Sequence, residues 1–223
     1  MQTVIHILLV FHIAAGTLSL ISGLFAILLR NKIKFHRPIG KTYFWAMTVV
    51  FVTAVFISTA HSNLFLFCVA FFTYYACLTA YRSLYLKKLH QDQQPTAMDW
   101  LIEVFFGLVN VALVVFAVFL LSKGNQSYGT VSFVFGIFGL RGNYITGRRL
   151  KKKLVYRNYW LLAHIGGMMG SYIGAITAFV VNNANHIPLP NVVLWLGPSA
   201  FLIPLIAFEI RKHEKKAGKF ITN

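Results

Sequence analysis

Long apolar runs alternate with short polar connections along this chain, and seven of the runs are long enough to cross a bilayer. A helix rises ~1.5 Å per residue, so about 20 residues cover a ~30 Å hydrocarbon core. The pattern predicts spans at about 4–29, 43–60, 64–86, 97–121, 129–147, 159–181 and 192–210. Its fold class is all-α: a polytopic membrane bundle of seven helices in one transmembrane domain. No connection exceeds about a dozen residues, too short for an independent core. The first span has no Lys or Arg before it and outruns a signal-peptide core, so it reads as a retained helix.

The stretch Tyr159–Val181 is the predicted centre of the bundle. Gly166, Gly170, Gly174 and Ala178 recur at every fourth position, as do Ala163, Gly167, Ser171 and Ala175. Small residues at that spacing let a second helix backbone approach closely, which is how helices associate in lipid. Span five carries a similar set, Gly136, Gly139 and Gly142, with Arg141 among them. His12 to Gly23 and His164 to Ala175 share histidine, serine and small residues at equal offsets. The two helices run oppositely, so the match fits either an inverted repeat or the general abundance of small residues in membrane helices.

Composition agrees with this reading: 57% of residues are hydrophobic, 12% are charged and the mean hydropathy is positive, which excludes an ordinary soluble domain and a disordered chain. A net charge of +16 would otherwise suggest nucleic acid. Position explains it better. Only Lys123 of the 21 Lys and Arg falls away from one side of the predicted membrane. That bias places the N-terminus outside and the C-terminus in the cytoplasm, with 211–223 a loose basic tail. The expected partners are a bilayer with anionic headgroups on the cytoplasmic side, and other membrane proteins; nucleic acid is not one. Cys68 and Cys77 form no CxxC pair and are read as packing residues.

Ionisable groups inside hydrocarbon are costly, so each is a candidate site. An inner layer holds Asp99, Glu103, Arg141 and Glu209, with Arg82, His36 and His164 within reach. Glu103 and Arg141 fall at matching depth, about 6–10 Å from the inner edge, and are expected to pair. This network reads as bundle stabilisation or as a proton or substrate path. An outer layer holds His6, His12 and His61, with His186 in the last outer loop. Histidines on facing helices at equal depth hold b-type haem. His12, His36, His164, His61 and His6 are therefore the candidate haem or metal ligands. His12 lies ~12 Å below the outer edge while His61 is at it, so His6 matches His61 better. No Walker loop, HExxH or GxSxG occurs, and five acidic residues leave little for a hydrolase site.

His12-Ile-Ala-Ala-Gly16, followed by His36-Arg37-Pro38-Ile39-Gly40-Lys41-Thr42-Tyr43, resembles a family of predicted bacterial multi-pass integral membrane proteins known as a domain of unknown function. The likeness is best over the first two helices and extends to the His164–Met169–Tyr172 region. It implies a bacterial plasma membrane and a helix bundle, and singles out His12, His36, Arg37, Gly40, Tyr43 and His164. Three functional readings stand: a redox protein holding haem b or a metal, a small proton-coupled transporter using Asp99, Glu103 and Arg141, and a non-catalytic assembly protein.

Overall fold

The structure, a computed structural model, describes residues 2–152 and 157–217. Among the described residues every regular element is helical: α1 (Gln2–Leu28), α2 (Ile33–Ala60), α3 (Leu64–Ser83), α4 (Ala97–Ser122), α5 (Gln126–Leu150), α6 (Tyr159–Asn182) and α7 (Asn191–Ala217), with a 3-10 turn at Ala184–His186. Six helices are long and apolar enough to cross a membrane: α1, α2, α3, α4, α6 and the Val193–Glu214 part of α7. These are the helices of a multi-pass membrane protein. Helix α5 has the length of the expected seventh span, 25 residues, but its glycines, Asn143 and three arginines make it less apolar than the rest.

The surface is that of a membrane protein too. Phe201 is 78% uncovered and Leu108 66%, while Ser19, Ser22, Thr53, Ser132 and Ser171 are buried. Lipid solvates apolar side chains as well as a protein core does, so large apolar residues can stay outside while small and polar groups share the interior with the rings and leucines packed there.

Three boundaries differ from the hydropathy pattern. Helix α2 starts ten residues before the expected 43, so the basic segment 33–41 is a helical extension rather than a loop. Helix α3 stops at Ser83 instead of 86, because the leucines beyond it turn away into a separate small core. The tail, expected to be loose from 211, is helical to Ala217, with Lys212 and His213 each 3.8 Å from the Glu209 carboxylate one turn back. Lys153 and the last six residues lie outside the described set.

The described chain falls into two compact units. Unit one takes the residues up to Leu78 with Met168–Ile206, and unit two takes Thr79–Gly167 with the residues from Ala207. In unit one, α1 pairs with α2. The Phe51 ring stacks on Tyr74 at 4.3 Å and meets Phe71 edge-on at 5.0 Å, joining α2 to α3. Phe65 meets Trp195 at 4.9 Å. Gly23 is closely enclosed: a Cβ there would lie 2.6 Å from the Tyr172 ring and 3.1 Å from Tyr43. The small-residue stripe of α6 is used unevenly. Gly174 lies against Thr73, whereas nothing comes within 4 Å of a Cβ on Gly170.

In unit two, α4 and α5 form an antiparallel pair across a turn with Gly124 at φ +79, left-handed backbone that glycine adopts freely. Leu121, Val114 and Asn110 of α4 fill the space beside Gly129, Gly136 and Gly139 of α5 in succession. At the far end, Leu86, Leu89, Leu150 and Tyr159 make a small buried core with Trp100 and Trp160 against it.

The contacts set a test. Gly23→Ala forces a methyl into two aromatic rings and is expected to destabilise by about 1–3 kcal/mol, seen as a lower melting temperature in detergent. Gly16→Ala, with open space around its Cβ, is expected to hold or raise it, since alanine is the better helix former.

Candidate functional site

Unit two gathers the inner-layer residues. Asp99 occupies the first turn of α4, and its carboxylate is saturated. Arg82 donates from Nε to Oδ1 at 2.8 Å and from Nη2 to Oδ2 at 3.1 Å. Thr96 donates to Oδ2 from its backbone N–H at 2.8 Å and from its hydroxyl at 2.7 Å. The same hydroxyl accepts from Arg82 at 3.1 Å. Helix start and ion pair are therefore one device: Asp99 caps α4, and the arginine at the end of α3 holds the cap in place. With four donors committed, this carboxylate is a structural clamp.

One turn along α4, Glu103 is buried. Its Oε2 accepts from Asn143 Nδ2 at 3.1 Å, and the Asn143 Oδ1 accepts from Asn110 Nδ2 at 2.7 Å. Asn143 Nδ2 also reaches the Glu103 carbonyl at 3.3 Å. Polar groups thus run without a break from Glu103 to Asn110, seven residues apart and about 10 Å along the helix axis. Gly139 makes room for the chain, because any Cβ there would strike the Asn110 amide.

The expected Glu103–Arg141 ion pair gives way to this arrangement. Depth alone matched the two residues. Asn143 lies two residues beyond Arg141, about 200° around the helix. The face that meets α4 carries Gly139 and Asn143, and Arg141 is on the exposed side. Asn143 was missed in the sequence, although its place four residues after Gly139, on a glycine-lined face, was a usable signal. Glu209 is buried on α7 beside Lys212 and His213, each 3.8 Å away.

Three of the candidate histidines are half-buried, and each ties two helices together. His12 Nδ1 lies 2.9 Å from Thr53 Oγ1, whose own hydrogen goes to the Val49 carbonyl at 2.7 Å. His36 Nδ1 lies 2.9 Å from the Ala26 carbonyl, and His164 Nδ1 lies 3.3 Å from the Ala80 carbonyl. Each partner oxygen accepts, so Nδ1 carries the hydrogen in all three rings. His6 and His61 are exposed; His61 follows α2 as its C-cap. No group of three or more potential metal ligands forms among the described residues.

Unit one adds a cluster that the polarity pattern had not revealed. Tyr43 and Ser171 share a hydrogen bond of 2.7 Å, with Ser171 0% exposed, and Tyr172 donates to the Leu20 carbonyl at 2.9 Å. Cys77, also wholly buried, sits beside Ser171. Comparison with family models, curated proteins and solved structures returned no match for the chain.

If Asp99 is a clamp, Asp99→Asn and Arg82→Ala each cost about 3–5 kcal/mol by leaving a partner's charge unanswered. In thermal unfolding the double variant is expected to fall little below either single one. Additive losses would show that the two side chains act independently.

Proposed function

We propose that the chain is a seven-span protein of the plasma membrane, N-terminus outside and C-terminus cytoplasmic, that moves protons together with a small solute. In this reading α5 is the seventh span. Its length suffices, and its lower apolarity suits a helix whose glycine face is covered by α4. With α5 counted, every basic connection falls on one side except the turn with Lys123.

The observation that carries the transport reading is the Glu103–Asn143–Asn110 chain. An ionisable group held inside a membrane bundle marks a substrate or proton path. Glu103 is the proton-exchanging end of this chain. Each Asn143 amide group is bonded to its neighbour, so a change at Glu103 reorients the dipoles as far as Asn110. Glu103→Gln keeps the shape and an oxygen that accepts from Asn143, and removes the exchangeable proton. In liposomes under a potassium diffusion potential and supplied with a panel of small solutes, dye-reported solute-dependent proton flux is expected with the wild type and not with Glu103→Gln, at equal melting temperature. Absence of flux in both, with a lower melting temperature for the variant, would reduce the chain to helix adhesion.

A second reading has its own support. The Nδ1–H anchoring of His12, His36 and His164 is the orientation an axial haem ligand needs. A Soret band in protein from haem-replete cells, lost on His12→Ala or His164→Ala, would establish haem b; a bare spectrum removes it.

Orientation has a direct test. Cys68 and Cys77 are 0% exposed and give little background. With an impermeant maleimide on intact cells, Lys123→Cys is expected to label and Gln91→Cys to stay protected; the reverse pattern inverts the topology.

A further inference from the structure

The connection from α3 to α4 reads in the sequence as the end of a span followed by a polar loop. The fold makes it a built cap. Leu86 and Leu89 turn inward onto Leu150 and Tyr159, and the Tyr159 hydroxyl donates to the Leu86 carbonyl at 2.6 Å. Ser83 Oγ donates to the Trp160 carbonyl at 2.9 Å. Gln93 closes the loop on itself: its Oε1 accepts from the Lys88 N–H at 2.9 Å, and its Nε2 donates to the Tyr85 carbonyl at 2.7 Å. An open cleft of about 550 Å³ lies in this cap, with Tyr85, Lys87, Lys88, Gln91, Asp92 and Gln93 among its walls.

The walls are held by bonds within the protein, so the cleft is shaped before anything enters it. Its charges are distinct. Lys87 places its ammonium 4.7 Å over the Trp160 ring, which fixes the direction of that side chain. Lys88 and Asp92 are exposed, and neither makes an ion pair among the described residues. Two cations and one carboxylate on a single rim match a ligand with an anionic centre and a cationic end. The level of the cleft also matters. It opens just past the last turn of α3, beside Tyr85, Trp100 and Trp160, the aromatic types that collect at the headgroup layer.

We propose that this cleft binds the headgroup of one phosphatidylethanolamine molecule of the inner leaflet, its phosphate on Lys87 and Lys88 and its ammonium on Asp92. The assignment to the inner leaflet rests on the orientation given under Proposed function; the site chemistry does not. Basic pockets at this face of a membrane protein take lipid headgroups, and the exposed Tyr85 ring offers an apolar wall toward the glycerol.

Native mass spectrometry of the full chain in detergent tests it, with short-chain phosphatidylethanolamine, phosphatidylglycerol and inorganic phosphate as probes. The wild type is expected to retain one phosphatidylethanolamine. Lys88→Gln should weaken retention roughly tenfold, the loss of one charge-assisted hydrogen bond. Asp92→Asn should erase the preference over phosphatidylglycerol, and Lys34→Gln, a neutralisation elsewhere on the same basic side, should change nothing. Unchanged retention by Lys88→Gln, or inorganic phosphate held as tightly as lipid, overturns the proposal. If Gln91→Cys labels from outside while Lys88-dependent retention persists, the orientation fails and the cleft stands. Protection of Gln91→Cys with retention indifferent to Lys88 sinks the cleft alone.

Discussion

In hydrocarbon, a polar atom that loses its protein partner finds no water to replace it, and that constraint organises the interior of this molecule. Asp99 answers it with four donors from Arg82 and Thr96, and Glu103 with the amide of Asn143. The tyrosines obey the same rule: Tyr43 turns to Ser171, Tyr172 to the carbonyl of Leu20, and Tyr159 to that of Leu86. The bonds Arg82–Asp99, Asn143–Glu103, Tyr43–Ser171 and Tyr172–Leu20 each join two helices. Satisfying the polar groups and assembling the bundle are therefore one act, where a soluble protein would assemble by burying apolar area.

Packing follows from what lipid leaves undone. Apolar side chains gain little by turning inward when the surroundings are equally apolar, so many large ones stay on the outer faces while glycines let the helices close on rings and side chains of their neighbours. Unit one closes on Gly23 and Gly174, beneath Tyr172 and Thr73. Unit two closes on Gly129, Gly136 and Gly139 beneath α4 side chains. Beyond the end of α3 a small leucine core appears as well, at Leu86, Leu89 and Leu150.

The carboxylates illustrate how environment separates similar groups. Asp99 and Glu103 lie four apart on one helix and looked equivalent in the sequence. A bidentate arginine and a capping threonine make Asp99 a fixture, whereas Glu103 opens a chain of amides reaching toward Asn110. The histidines divide in the same way. His12, His36 and His164 are drawn into bonds between helices, while His6 and His61 stay exposed at the ends of theirs.

Hydropathy alone determined that the chain is helical, that at least six of its helices have membrane length and composition, and where they begin and end to within a few residues over most of the chain, α2 and α7 being the exceptions. Those properties depend on run length and residue type, which are written in linear order. Position along each helix was legible as well, and it set Asp99 and Glu103 near the start of α4. Azimuth was not. Which face of α5 meets α4 depends on where glycines allow approach, and that choice put Asn143 beside Glu103 and Arg141 on the exposed side. The turn of Leu86 and Leu89 into a cap, and the pairing of Tyr43 with Ser171 128 positions away, were likewise settled only by tertiary structure. Such contacts depend on the rotation of each helix about its own axis, a quantity that single-chain periodicity leaves open when small residues line more than one face.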